Sequence, residues 1–173
     1  SSSMATHRPS RATRIEATEE NLIASNVFPD SHPTIANGSE TMLLWVHDDT
    51  SKPLMQGEEI RYTRYNGTSW SSPLSITDDH LQDFAPQVAY DGSGQAIAVW
   101  ERNTITQTES SALDTTYADA FEIAYAVSHG STWPVPAYLT NNNLLDHAPP
   151  LVAGKDGKLL LVWRRNSAGE LMG

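Results

Sequence analysis

The sequence contains no cysteine and has little positive charge. Its 173 residues include 11 Lys and Arg against 21 Asp and Glu, which gives a formal net charge of -10 at pH 7. Without cysteine, disulfide bridges, thiolate metal sites and cysteine nucleophiles are excluded. The excess of negative charge argues against binding to a phosphate backbone or an anionic membrane surface. We therefore expect core packing to hold the fold, and no nucleic-acid partner.

Long apolar segments are also missing. No apolar run approaches the roughly 20 residues that span a bilayer, and the N-terminal SSSMATHRPS lacks the apolar centre of a signal peptide. We expect no membrane span and interpret residues 1–16 as a tail, native or left from cloning. Hydrophobic residues nevertheless make up 39% of the chain, which is enough to bury a core.

What the sequence does contain is an internal repeat. Three copies of Asp-x-x-Pro open similar passages, and each apolar run that follows ends in Trp, at Trp45, Trp100 and Trp163. The prolines of these motifs are separated by 53 and 63 residues. Most of the additional residues fall between Trp100 and Ile123, where a loop is expected to absorb them. The chain is therefore predicted to consist of repeated structural units.

Each unit has the pattern of four short antiparallel strands, A to D. Asn-Gly or Asp-Gly hairpin turns separate strand A from strand B, and the continuous apolar character of strand B indicates burial on both faces. Strands A to C are predicted at 34–36, 42–46 and 59–65, then at 87–90, 96–100 and 122–127, and strands A and B again at 151–153 and 159–163. A short helical turn is expected within 111–121. Four strands at this spacing predict an all-β fold of β-propeller blades.

The repeat also predicts how the chain is divided. Residues 17–32 are interpreted as strand D of a preceding blade, 33–85 and 86–148 as blades, and 149–173 as strands A and B of a further blade. This is a partial propeller, whose outer blades need neighbours to cover their apolar faces. The expected partners are a second copy of the chain, closing a six-bladed ring, or other blades of a longer parent protein.

The turns between strands C and D resemble a known motif. They read NGTSW at 66–70 and SHGSTW at 128–133. In their glycine, hydroxyl residues and Trp they resemble the Asp-box, Ser-x-Asp-x-Gly-x-Thr-Trp, of bacterial sialidase-like propellers with BNR-like repeats. The box aspartate is missing, because Tyr65 and Ser128 stand two residues before the glycines. The resemblance implies a propeller fold and an extracellular or cell-surface location.

Structural roles are expected for the recurring Gly and Trp residues. Glycine permits the positive φ that such a turn needs, and Trp packs between blades. The residues interpreted in this way are Gly67, Gly130, Trp45, Trp70, Trp100, Trp133 and Trp163.

A sialidase would imply three arginines that clamp a carboxylate, a Tyr-Glu nucleophile pair and an Asp acid. The candidate arginines, which do not stand in an Arg-Ile-Pro context, are Arg61, Arg64, Arg102, Arg164 and Arg165. The six histidines form no metal-binding motif, and no serine stands in G-x-S-x-G. A carboxylate pair for glycoside hydrolysis is a spatial arrangement that a sequence does not reveal. We therefore assign no catalytic residue.

The ligand face is predicted from the alternation of strand direction. The loops from B to C and from D to A should lie at one end of the blades, and they hold most of the acidic and amide side chains. The residues expected on this face are Asp48, Asp49, Asp78, Asp79, Asp83, Glu101, Arg102, Asp114, Asp119, Asn142 and Asp146. Oxygen ligands at this density suit Ca²⁺ or a solvated surface, and no other cofactor is expected. The Asp of each Asp-x-x-Pro is expected to cap backbone N–H groups.

These features together predict a non-catalytic extracellular propeller module for adhesion, scaffolding, or binding of a glycan or protein. One alternative is a fragment of a sialidase-like glycoside hydrolase whose catalytic blades lie elsewhere. A second alternative is an architectural repeat that assembles with itself.

Replacement of Trp45, Trp100 or Trp163 by Ala tests the core assignment. Large buried aromatics lose about 3–5 kcal/mol of unfolding free energy on truncation, so we expect a lower urea midpoint for each variant. Midpoints equal to that of the wild type would contradict burial of these residues.

Overall fold

The computed structural model describes residues 20–106, 115–147, 149–166 and 170–173, which form antiparallel sheets and one short helix. The first sheet has the order β1-β2-β3-β4 and is an antiparallel meander. Its strands are β1 (Thr34–Asn37), β2 (Thr41–Asp48), β3 (Glu58–Tyr65) and β4 (Leu74–Ser75).

The second blade repeats this arrangement, with the order β5-β6-β7-β8. Its elements are β5 (Asp83–Tyr90), β6 (Ala96–Asn103), the helix α1 (Thr115–Asp119), β7 (Phe121–Val127) and β8 (Ala137–Tyr138). The helix lies in the loop between β6 and β7, within the segment where a helical turn was expected. The predicted all-β fold of four-stranded antiparallel sheets is thereby confirmed.

The third blade is divided between two small sheets. One pairs β10 with β11, and the other has the order β13-β12-β9. The strands are β9 (Asp146–His147), β10 (Leu151–Ala153), β11 (Leu159–Leu161), β12 (Trp163–Arg165) and β13 (Glu170–Met172). Because β13 pairs with β12 as strand C pairs with strand B elsewhere, this blade contains the beginning of strand C as well as A and B.

The segment before β1 differs from its predicted role as a strand D. Among residues 20–33 the pairing consists of an isolated bridge between Val27 and His47, and hydrogen bonds join Phe28 N to Val46 O and Asp48 N to Asn26 O. A strand D would need a strand C beside it, and the described residues place none before residue 34. This segment therefore packs against β2 of the first blade.

The main hydrophobic core lies between the first and second blades. Its buried members are Met42, Leu44, Val46, Ile60, Tyr62, Ile76, Val88, Ala96, Ala98, Trp100, Ala124 and Ala126. The alanines of β6 and β7 let the two sheets approach closely, and the fully buried Trp100 fills the space beside them. Trp45 is also buried, whereas Trp163 is half-buried, so we expect the smallest loss of stability at Trp163.

Glycines in the turns between strands A and B bring neighbouring blades into contact. Gly92 N donates a hydrogen bond to Gly157 O at 2.9 Å, which joins the second blade to the third. A Cβ on Gly92 would lie 2.9 Å from the Cα of Gly157, and one on Gly157 would lie 2.7 Å from the Cα of Gly92. Gly38 of the first blade is packed in the same way against the ring of Tyr90.

Substitution of Gly92 by Ala should therefore destabilise the protein by about 1–3 kcal/mol, the usual cost of overpacking. Gly92 is not among the residues with positive φ, so a clash rather than backbone strain would cause the loss. Ser39→Ala, in the corresponding turn of the first blade, is the matched control and should change stability by less than about 0.5 kcal/mol. Thermal unfolding of the two variants makes the comparison, and equal melting temperatures would contradict the close approach.

Candidate functional site

The loops between strands B and C and those between strands D and A meet at one end of the blades. Lys52, in the loop after β2, donates to Asp78 Oδ1 at 2.8 Å and to Asp79 O at 2.6 Å in the loop before β5. We call this end the charged face and define it by the loops 49–57, 76–82 and 139–145 and the described parts of 104–120. The adjoining strand ends, including β9, belong to it.

One fully buried charge on this face is that of Asp83. Its Oδ1 accepts hydrogen bonds from Trp100 Nε1 and from Arg102 Nε, both at 2.7 Å, and its Oδ2 accepts one from Arg102 Nη2 at 2.8 Å. Burial of a charge is costly unless a counter-charge and hydrogen bonds satisfy it, and both are present here. The aspartate therefore joins the start of β5 to the centre of the blade.

The third blade repeats this arrangement at the same sequence spacing. Asp146 Oδ1 accepts from Trp163 Nε1 at 3.1 Å and from Arg165 Nε at 2.8 Å, and Oδ2 accepts from Arg165 Nη2 at 3.0 Å. In both blades the Trp lies 17 residues and the Arg 19 residues after the Asp. We call each such set of three residues a carboxylate clamp.

The clamps correct the expected role of Asp-x-x-Pro. Its aspartate was expected to cap backbone N–H groups, but Asp83 accepts from side chains of strand B. The reason lies in β5, where the register shifts between Phe84 and Gln87 and Ala85 has a φ of 50°. This bulge extends strand pairing back to Asp83, opposite Arg102, so the carboxylate lies beside the guanidinium.

A second buried carboxylate, Glu59, lies next to the first clamp. Its Oε1 accepts from Lys52 Nζ at 2.5 Å and from Asp79 N at 2.8 Å. Carboxylate oxygens of Glu59, Asp79 and Asp83 all lie within 4.8 Å of one another. Arg102 Nη2 also lies 2.9 Å from Asp79 Oδ2. An ammonium and a guanidinium group thus already supply the positive charge that this carboxylate cluster needs.

In the second blade, Glu122 occupies the position of Glu59, and its hydrogen bonds come from Asn142 rather than from a lysine. Glu122 Oε1 accepts from Asn142 N at 2.5 Å, while Asn142 Nδ2 lies 2.7 Å from Asp146 Oδ2 and 3.3 Å from Glu122 Oε2. Asn142 occupies the place of Asp79 in the repeat, so an amide bridges two carboxylates where the previous blade has a third carboxylate. Sequence reasoning did not identify Glu59 and Glu122 as site residues, although each is the second residue of strand C in its blade.

Burial and hydrogen bonding shift the pKa values of these buried charged groups in opposite directions. Burial raises the pKa of Glu59 and Glu122 above the ordinary range for glutamate. Burial also favours a raised pKa at Asp146, but hydrogen bonds from Arg165 and Asn142 outweigh it and hold the pKa of Asp146 below its usual value. At Arg102, burial opposes the charged form, whereas the hydrogen bonds and charge of Asp83 prevail and raise the pKa of the guanidinium.

The remaining residues predicted for the ligand face have more local roles. Asp49 Oδ1 accepts from Ser51 N at 3.0 Å and Ser51 Oγ at 2.6 Å, which closes a turn. Asp48 ends β2, Glu101 lies within β6, and Asp119 ends α1 on the charged face. Asp114 lies outside the described residues.

Two concave sites open between these loops. The first, about 360 Å³, lies around 48–58 and is lined by Phe28, Pro29, Asp48, Asp49, Thr50, Lys52, Pro53, Leu54, Met55, Gly57 and Glu58. The second, about 300 Å³, lies between the second and third blades and is lined by Thr104, Ile105, Thr116, Asp119, Ala120, Asn142 and Asn143. We call the second site the inter-blade pocket. It contains both loop segments that were expected to contact a ligand.

The turns that resemble an Asp-box lie at the opposite end. Gly67 and Gly130 have φ values of 95° and 62°, as the turn geometry requires. Trp133 packs edge-on against Tyr62 of the first blade, with ring centroids 5.8 Å apart, so it lies between blades. Trp70 contacts Tyr65 of its own blade at 5.1 Å.

Comparisons with known proteins support the fold. No family model matches the sequence, and no curated protein does. A Hadza microbial sialidase superposes with a TM-score of 0.56 at 15% identity over 77% of this chain and 32% of that chain. The endo-arabinase from Bacteroides thetaiotaomicron VPI-5482 gives a TM-score of 0.50 at 15% identity over 83% of this chain and 53% of that chain. The matched region is thus about a third of one neighbour and about half of the other, and the likeness shows a sialidase-like fold.

Among the described helices, none is long and apolar enough to cross a membrane.

Asp83→Asn tests the first carboxylate clamp. The substitution leaves the buried Arg102 without its main counter-charge, which typically costs about 3–5 kcal/mol; we expect the lower end, because Asp79 remains close. Asp146→Asn should cost less, because Arg165 is half-buried. Adding Arg102→Met to Asp83→Asn should recover part of the loss. Urea unfolding measures all of these variants, and equal midpoints for Asp83→Asn and the wild type would contradict the assignment.

Proposed function

We propose that this chain is a non-catalytic, carbohydrate-binding propeller module whose ligand lies in the inter-blade pocket of the charged face. The observation that carries the proposal is the lining of that pocket. Hydroxyl, amide and carboxylate groups from Thr104, Asp119 and Asn143 surround it, together with the partly exposed apolar side chain of Ile105. A sugar presents both hydroxyl groups and apolar ring faces, and this combination complements both.

One polar side chain of the pocket, that of Asn142, is held in place before any ligand binds. Asn142 is fixed by Glu122 on one side and by Asp146 on the other, and Asp146 is itself held by Arg165. Because the network already fixes the orientation of the amide, ligand binding loses little side-chain conformational entropy at Asn142. A rigid support of this kind favours specific recognition.

The carboxylates of the charged face are less suited to hydrolysis. A glycosidase needs two carboxyl groups that reach the scissile bond, about 5–5.5 Å or 6.5–9.5 Å apart according to mechanism. Glu59 and Asp83 belong to a group of three carboxylates whose oxygens lie within 4.8 Å of one another, but both are buried, Glu59 bonded to Lys52 and Asp83 to Arg102. Their arrangement is that of a structural ion-pair network, which supports binding rather than catalysis.

A sialidase-like glycoside hydrolase is the second candidate. It is supported by the raised pKa of the buried Glu59, a property of general acids, and by neighbours that are a sialidase and an endo-arabinase. Under this alternative, some of the catalytic residues would lie on further blades of a longer parent protein. An extracellular location fits either candidate, because both act on glycans.

Assembly with further blades is part of the proposal. Val152 and Leu160 are cross-strand partners in the third blade, and both are more than half exposed, at 57% and 58%. Such an apolar pair favours contact with another blade, from a second copy or from a longer parent chain. Sedimentation as a monomer of native stability would contradict self-assembly.

Calorimetric titration with arabinan oligosaccharides and sialylated glycans tests binding. We expect Asp119→Ala or Asn143→Ala to weaken binding roughly 5- to 10-fold, the effect of one lost hydrogen bond of about 1 kcal/mol. The matched control is Glu40→Ala at the opposite end of the first blade, which should bind as the wild type does. Chelation with EDTA should leave affinity unchanged, because Lys52 and Arg102 already neutralise the carboxylates.

Three outcomes would contradict the proposal. Release of reducing sugar from these glycans by the wild-type protein would favour the glycosidase alternative. Equal affinity of Asp119→Ala and the wild type would move the ligand away from the inter-blade pocket, and loss of binding in EDTA would restore the Ca²⁺ hypothesis.

A further inference from the structure

The first blade lacks the carboxylate clamp found in the other two. Trp45 and His47 occupy the strand B positions that correspond to Trp100 and Arg102. Both are almost completely buried, with 2% and 8% of their surface exposed. Trp45 Nε1 and His47 Nδ1 have no hydrogen-bond partner among the described residues, although a buried N–H of this kind normally has one.

A third unpartnered nitrogen lies beside them. Arg61 is the cross-strand partner of Trp45 in the pairing of β2 with β3, and His47 lies two residues further along β2. Paired residues, and residues two apart on one strand, share a face of the sheet. Arg61 Nε is buried and also without a partner among the described residues. Burial and the charge of Arg61 both lower the pKa of His47, which agrees with their proximity.

The aspartate of the first repeat does not fill this position. Asp30 is exposed, and the backbone on both sides of it is held elsewhere. Phe28 N donates to Val46 O, and Ser31 Oγ accepts from Val46 N, each at 2.9 Å. In the other blades the corresponding aspartates are buried against Trp and Arg. The aspartate of the first repeat therefore does not supply a partner for these nitrogens.

An apolar pocket adjoins the same indole. Its volume is about 240 Å³, and it is lined by Asn21, Leu22, Ile23, Ala24, Val27, Pro33, Leu43 and Trp45. This is below the roughly 300–1,000 Å³ of pockets that hold drug-sized ligands. Trp45 therefore connects a small apolar pocket with a group of buried nitrogens.

We propose that the first blade binds a small carboxylic acid with a short apolar tail. The carboxylate accepts hydrogen bonds from Trp45 Nε1 and Arg61 and lies beside His47 Nδ1, as the aspartate does in the carboxylate clamps. The tail lies in the apolar pocket next to Trp45. This site lies in the first blade, whereas the inter-blade pocket lies between the second and third blades, so the inference is independent of the proposed glycan binding.

The indole N–H signals of the intact protein, labelled with ¹⁵N-tryptophan, provide the readout. Trp45→Phe identifies the Trp45 signal by its disappearance. Butyrate should shift this signal saturably, acetate should do so more weakly because it lacks the tail, and 1-butanol should not, because it lacks the charge. Sodium chloride at the same ionic strength controls for adventitious anion binding and should leave the signal in place.

Arg61→Met should weaken butyrate binding about tenfold or more, because hydrogen bonds to charged groups contribute about 1.5–3 kcal/mol. The matched control is Arg64→Met, on the opposite face of β3, which should retain wild-type affinity. Arg61→Lys keeps the positive charge and should weaken butyrate binding less. It replaces Arg61→Met in the test if that variant does not fold. An unmoved Trp45 signal, an equal response to 1-butanol or to chloride, or full affinity in Arg61→Met would each overturn the proposal.

Discussion

The second and third blades are each organised around one buried carboxylate that accepts hydrogen bonds from an indole and a guanidinium. Asp83 and Asp146 begin β5 and β9, whereas their Trp and Arg partners come from strand B of the same blade. Neither charge is stable in the interior alone, so the two strands must come together for either to be buried. The glutamate and asparagine network of the charged face is built on this contact, and the inter-blade pocket is built on that network.

Much of the fold was predictable because the same residues recur at corresponding positions of each repeat. Trp100 and the Asp-Gly turns mark strands A and B directly, and the spacing of the repeat identifies strand C. The clamp was not predictable in the same way, because Asp83 and Arg102 become neighbours only through the bulge at Ala85. A bulge shifts the register by one residue, and the sequence pattern does not specify that shift. Glu59 and Glu122, each the second residue of strand C, recur at the same place in the repeat, but their partners depend on how the loops fold over them.

The acidic composition illustrates how charge count and charge function differ. A net charge of -10 and a concentration of aspartates on one face were compatible with bound Ca²⁺. In the structure, Asp49 on this face accepts hydrogen bonds from Ser51 and so closes a turn, as Asp91 does with Ser93 at the opposite end of the second blade. Asp83 is neutralised internally by Arg102. Fewer acidic residues are therefore left to contact a ligand than the sequence suggests.

The contact between Gly92 and Gly157 also bears on the curvature of the array. The first strand of each blade contacts the first strand of the next, β1 with β5 and β5 with β10, and β5 also contacts β2 and β3. Because no side chain separates the two backbones at these glycines, the blades are as close there as main-chain atoms allow. That minimum separation constrains the angle between the second and third blades, and in a closed propeller such angles determine how many blades complete the circle. A methyl group at this contact would therefore alter the angle between these two blades as well as local stability.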